Sequence, residues 1–164
     1  MKKNIFFFFF SLTAWGAFAQ SPLEKGRWQL NAGLGTSGWG TPVYLGFDYG
    51  AHRDITIGIE GSYQSHDYGA NYSSTIFGLG VNGNYHFNRV LDIPSDWDLY
   101  AGLGVTYYNW NYSDKKYKDS NATDIGLGAQ IGGRYFFTKR FGINLELGGG
   151  NATNGAKIGI TYKL

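Results

Sequence analysis

Strict alternation of apolar and polar residues runs along almost the whole chain, cut at near-regular intervals by clusters of Gly, Asn, Asp and Ser. Successive side chains of a strand point to opposite faces, so a period of two marks β-structure with one apolar face. Eight such segments occur. In the first, Trp28, Leu30, Ala32 and Leu34 alternate with Gln29, Asn31 and Gly33. The apolar phases of the others run from Val43 to Tyr49, Ile55 to Tyr63, Phe77 to Phe87, Leu99 to Tyr107, Ile125 to Phe137, Phe141 to Leu147 and Ile158 to Leu164. No stretch carries the stripe of an amphipathic helix, and no linker divides the chain.

The first nineteen residues stand apart from this pattern. Lys2 and Lys3 precede an apolar stretch that begins at Ile5, and Ala17-Phe18-Ala19 before Gln20 is a small-x-small cleavage site, which together read as a secretory signal peptide. The stretch from Ile5 to Ala19 is short of the roughly 20 residues that a spanning helix needs. The expected division is therefore a signal segment, 1–19, and one β-domain, 20–164. Removing Lys2 and Lys3 from the 14 basic residues leaves 12 against 12 acids. A neutral domain gives no electrostatic case for a nucleic-acid partner. Charged residues make up 16% of the chain, below the roughly 25–35% of an ordinary soluble surface.

Eight antiparallel strands can close with the apolar face inward, as in a soluble ligand-binding barrel, or outward toward lipid. The polar phases are rich in Gly, Asn, Thr and Gln and poor in charge, which suits a crowded lumen. The apolar phases carry aromatics at their ends. With strands alternating up and down, Trp28, Tyr49, Phe87, Phe137, Phe141 and Tyr162 fall at one rim, and Tyr63, Phe77 and Tyr107 at the other, as two interfacial girdles. The expected fold is an all-β, eight-stranded antiparallel up-and-down transmembrane β-barrel, with lipid and lipopolysaccharide around it. Both termini then lie on the periplasmic side. The connections from Thr36 to Thr41, Asp67 to Ser73, Asp114 to Thr123 and Ala152 to Gly155 face outward, and the segment from Asn88 to Asp98 is long for a periplasmic turn.

The signal segment, the Gly-rich strands and a last strand reading Ala156-Lys157-Ile158-Gly159-Ile160-Thr161-Tyr162-Lys163-Leu164 resemble the small outer-membrane barrels of Gram-negative bacteria, the OmpX-like and OmpA-barrel-like proteins. The resemblance implies that Ile158, Ile160, Tyr162 and Leu164 are read by the barrel-assembly machinery, although such strands usually end on an aromatic residue. It also implies a role in envelope integrity, surface interaction or adhesion. The peptidoglycan-binding domain of full-length OmpA has no counterpart in the pattern.

Asp48, Glu60, His86, Arg134, Glu146 and Lys157 all fall in the polar phase and form the expected lumen network. Buried charges must be paired, and two readings follow: a structural polar plug, or a narrow pore in which Arg134 or Lys157 switches partners with Glu60 or Glu146. Strand shear sets the relative heights, so partners cannot be assigned from spacing. A lipid A-modifying enzyme would need a nucleophile, a base and a carboxylate near the outer rim, where Ser65, His66 and Asp67 stand. Adjacent strand residues diverge, so that site requires a bend. No metal-ligand spacing or phosphate loop appears, and no cofactor is expected. Lys115, Lys116 and Lys118 could meet lipopolysaccharide phosphates, with Asp114 and Asp119 offsetting their charge. Trp39, Tyr68, Tyr72, Trp110, Tyr112 and Tyr117 are expected near the outer rim, extending the girdle or serving adhesion.

Overall fold

Each alternating segment becomes a strand: β1 (Trp28–Ser37), β2 (Val43–His52), β3 (Ile55–Asp67), β4 (Ser73–His86), β5 (Trp97–Tyr112), β6 (Thr123–Phe136), β7 (Phe141–Gly150) and β8 (Asn154–Lys163). The structure, a computed structural model, describes residues 23–67, 73–112, 123–151 and 154–164. The expected signal segment and the residues Tyr68, Tyr72, Lys115, Lys116, Tyr117 and Lys118 lie outside the described residues, as do the side chains of His66, Asp67 and Tyr112. Every strand pairs antiparallel with its chain neighbours, and β8 returns to β1 from Gln29↔Lys163 to Ser37↔Gly155, which closes the barrel. Closure leaves no unpaired edge, the condition for β-structure to sit in hydrocarbon.

The register keeps each phase on its own side of the wall, with Gln29 opposite Asp48 and Leu30 opposite Phe47. Leu103, Ile158 and Ile131 are 71%, 62% and 60% exposed on the outside, whereas Gln29, Asp98 and Thr161 are 0% exposed inside. This inverts the distribution of a water-soluble domain and fits a wall that meets lipid.

At the rim shared by the termini, Trp28 packs on Tyr49 and Trp97 on Tyr135, with ring centroids 4.9 and 4.7 Å apart. Phe137 contacts Tyr135 and Phe141, and Phe141 pairs in register with Tyr162. Two expectations shift here. Phe87 and Phe137 stand just past the ends of β4 and β6, held by the bonds Phe87 N→Leu99 O at 2.8 Å and Phe137 N→Phe141 O at 3.0 Å. Leu164 likewise follows β8 and donates to Trp28 O at 2.9 Å. Tyr85, Trp97 and Tyr135 join the same girdle. At the opposite rim Tyr63 faces Phe77 across β3 and β4, and Tyr107 lies outward on β5, all three exposed.

The wall is uneven. β3, β4, β5 and β6 have 13, 14, 16 and 14 residues, whereas β1, β2, β7 and β8 have 10 each. Ten residues match a tilted bilayer crossing. The four longer strands extend through residues such as Asn109-Trp110-Asn111, whose polarity resembles that of a loop. The long connection between β4 and β5 is folded. Leu91 N bonds Phe87 O, Ile93 N bonds Asn88 O, and the buried Asn88 side chain donates to Trp97 O and accepts from Leu99 N. Asp92 takes the left-handed conformation there (φ 51°), which Asp tolerates better than most residues.

Two close approaches explain glycines in the inward phase. At Gly132 a Cβ would lie 2.2 Å from Tyr100 Cζ, so the bare backbone makes room for that ring inside a narrow lumen. At Gly50 a Cβ would lie 2.3 Å from Glu24 O, where segment 23–27 crosses the terminal rim and buries Leu23. Replacing Gly132 with Ala should displace Tyr100 and cost about 1–3 kcal/mol of stability, read as a lower urea midpoint in detergent. An unchanged midpoint would show that the ring relaxes freely.

Candidate functional site

Inside the terminal half, one run of hydrogen bonds passes from strand to strand. Thr161 Oγ1 on β8 donates to Asn31 Oδ1 on β1 at 2.8 Å, and Asn31 Nδ2 donates to Asp48 Oδ2 on β2 at 2.9 Å. Arg134 on β6 bridges two carboxylates, with Nη2 at 2.7 Å from Asp48 Oδ2 and Nη1 at 2.9 Å from Asp98 Oδ2 on β5. Asp98 Oδ1 meets His86 Nδ1 on β4 at 2.7 Å, and His86 Nε2 meets Thr56 Oγ1 on β3 at 3.0 Å. Tyr100 lies under the Arg134 guanidinium, 4.3 Å from Cζ to the ring centroid, and donates to Glu146 Oε2 on β7 at 2.9 Å. The run therefore touches all eight strands.

A second ionic layer stands above it. Lys157 Nζ lies 2.6 Å from Glu60 Oε1 and 2.9 Å from Glu146 Oε1, and 5.3 Å from the centroid of the Tyr44 ring. Tyr44 and Asn144 bond each other across the lumen at 3.0–3.1 Å. Between the layers remains a void of about 20 Å³, lined by Asn82, Asn84, Tyr100 and Arg134 among others, with room for one or two waters by a scale of about 10–15 Å³ each. Above Lys157 the lumen widens to a cavity of about 160 Å³.

All six expected lumen residues face inward, and the structure divides them between the two layers. Arg134 does not pair with Glu60 or Glu146; it binds Asp48 and Asp98, while Lys157 takes both glutamates. Asp98 is absent from the expected set because Pro94 and Asp96 make its surroundings read as turn. The signal that would have recovered it is parity, since Asp98 shares the phase of Tyr100. Trp39 also moves: its ring contacts Tyr108 at 5.2 Å and Trp110 at 5.1 Å, so the β1–β2 connection turns in toward the opposite wall.

The chain matches the family model for the outer membrane protein beta-barrel domain over residues 7–163. The chain belongs to that outer-membrane barrel family. No curated protein sequence matches it. Among solved structures, this outer-membrane barrel resembles the N-terminal β-barrel domain of OprF from Pseudomonas aeruginosa at 15% identity and TM-score 0.64, covering 85% of this chain and 98% of that one. OprG of the same organism gives 14% identity and TM-score 0.62, covering 87% and 97%. Ail, the attachment invasion locus protein of Yersinia pestis, gives 12% identity and TM-score 0.56, covering 86% and 100%. At such identities the likeness is one of fold.

At the outer-membrane barrel's longer-strand rim, β3 and β4 pair without a register shift through Ser65↔Thr75, His66↔Ser74 and Asp67↔Ser73. The bend that would bring Ser65 and His66 together is absent from this backbone, and Ser65 is exposed on the outside. At the terminal rim, Arg89 Nε lies 3.1 Å from both carboxylate oxygens of Asp54, tying the β4–β5 turn to the β2–β3 turn.

Truncating Arg134 to Met should strand Asp48 and Asp98 in the lumen and destabilise the barrel by about 3–5 kcal/mol. Adding Asp48→Asn and Asp98→Asn should recover part of that loss; urea titrations of the three-site series in detergent give the comparison. A second expectation concerns pH. The Arg89 hydrogen bonds hold the Asp54 carboxyl below its ordinary value, so their contribution is complete above about pH 3.9 and fades as pH falls through the lowered folded value. NMR titration of the Asp54 carboxyl should show this depression, and Arg89→Gln should return the titration toward about 3.9.

Proposed function

We propose that this protein is a non-enzymatic, non-conducting outer-membrane barrel that reinforces the envelope and presents its longer-strand rim to the exterior for surface interaction or adhesion. The observation that carries this reading is the hydrogen-bonded run from Thr161 to Thr56, which spans the lumen in the terminal half and leaves a void of only about 20 Å³ below Lys157. Fixed charges paired at 2.6–2.9 Å offer no aqueous path for a solute. In this reading the termini and the folded 88–98 turn face the periplasm. The longer strands and the connections after β1, β3, β5 and β7 then face outward, among lipopolysaccharide headgroups. Ail is an attachment protein by name, and the shared fold makes an adhesive role a reasonable model for this chain.

Two further partners follow from the outer wall. The exposed apolar phase and both aromatic girdles suit outer-membrane lipid. Ile158, Ile160, Tyr162 and Leu164, outward on or just past β8, form the strand offered to the barrel-assembly machinery. Purified protein in planar bilayers should show no conductance steps under applied voltage. Stable ohmic steps, abolished on heat unfolding, would replace the plug with the pore reading.

A further inference from the structure

Charge is unevenly spread around the terminal rim. The β2–β3 turn carries Arg53 beside Asp54, and the β4–β5 turn carries Asp92 and Asp96 with Arg89, whose guanidinium is already bonded to Asp54. The β6–β7 turn, Phe137-Thr138-Lys139-Arg140-Phe141, has two cations and no carboxylate. Lys139 and Arg140 are both exposed, and neither has an ion-pair partner among the described residues. Their backbone is nonetheless well held. Thr138 Oγ1 accepts from Phe141 N at 2.9 Å and from Arg140 N at 3.3 Å, and Arg140 O accepts from Lys163 N at the end of β8 at 2.9 Å. Among the described residues the Lys139 N–H has no partner, so the tip offers a backbone donor beside its two cationic side chains.

Two rings set the depth of those charges. Phe137 and Phe141 flank the tip, 56% and 39% exposed on the outer wall with centroids 6.3 Å apart, and Tyr135 and Tyr162 continue the aromatic band beside them. Aromatic girdles lie at the boundary between acyl chains and headgroups, so residues one or two positions beyond them stand at the height of lipid phosphates. A Lys or Arg at an anionic lipid surface strengthens binding about fivefold. The ammonium of a zwitterionic headgroup would find no carboxylate in this turn, which favours a headgroup of net negative charge. We propose that the β6–β7 turn seats the phosphate of an anionic phospholipid, with Lys139 and Arg140 on the phosphate and Phe137 and Phe141 against the acyl chains.

The proposal deepens the lipid contact read from the outer wall, and it does not depend on conduction or on which compartment the termini face. Isotope-labelled protein is placed in nanodiscs of phosphatidylcholine with stepwise additions of phosphatidylglycerol, at constant ionic strength. Backbone amides of the three terminal-rim turns are followed by NMR. Those of Lys139, Arg140 and Phe141 should shift and saturate at a lower phosphatidylglycerol fraction than those of Arg53, Asp92 and Asp96. Lys139→Gln and Arg140→Gln should each raise the half-saturating fraction about fivefold, and Lys139→Arg should leave it unchanged. Heat-modifiable gel migration establishes that each variant is folded. Equal shifts at all three turns would report surface charge in general and overturn the seat. So would shifts reproduced by inorganic phosphate in discs of phosphatidylcholine alone, or a half-saturating fraction unchanged in either folded glutamine variant. Folded protein that enters the discs with no response at the turn overturns the phosphate seat and leaves the lipid-facing wall standing; failure to enter discs of any composition overturns both.

Discussion

Arg134 lies buried inside a closed wall of strands, cut off from bulk water and surrounded on the far side by lipid-facing residues, so its charge has to be met within the lumen. Asp48 and Asp98 meet it from β2 and β5, and Tyr100 covers one face of its guanidinium. Those three contacts fix the heights of three strands, β2, β5 and β6, relative to one another. The neighbouring bonds extend the constraint, through His86 and Thr56 on one side and Asn31 and Thr161 on the other. A globular domain uses a dry core for this purpose. Here the apolar surface belongs to lipid, and the polar run does the joining.

The lumen is not uniform along its length. Around Arg134 it is filled, and the segment that buries Leu23 packs at the same end. Toward the other rim it opens, because β3 to β6 rise above their neighbours and inward glycines replace side chains. Trp39 narrows that opening by reaching from the shorter side to Tyr108 and Trp110 on the taller one. One barrel thus has a closed half that supplies rigidity and an open half that supplies a cavity.

Glycine and aromatic residues, which made the composition unusual, are complementary parts of this arrangement. Tyr100 occupies the space that Gly132 leaves, and the outward rings form girdles around the terminal rim and at the opposite one. The polar turn from Asn88 to Asp98 belongs to the same economy of space. Its Asn88 side chain and the Arg89–Asp54 pair turn a length that looked anomalous into a clasp between two turns.

Strand number and the phase of every strand were legible from alternation, since parity within a strand depends on nothing outside it, whereas Tyr85, Trp97 and Tyr135 joined the terminal girdle only in the folded barrel. Signals failed at strand ends, where Asp98 sits beside turn-forming residues and Asn109-Trp110-Asn111 has a loop's composition. They failed again at the partners of Arg134 and Lys157. A pairing such as Arg134 with Asp48 joins residues far apart in the chain, and their heights follow from the registers accumulated around the closed barrel. By itself the sequence determined which residues face lipid and which face the lumen, because that choice is made locally, residue by residue. Which charges meet, where the lumen is blocked, and that Trp39 turns inward were decided by closure, because shear is a property of the whole ring of strands and of no single one.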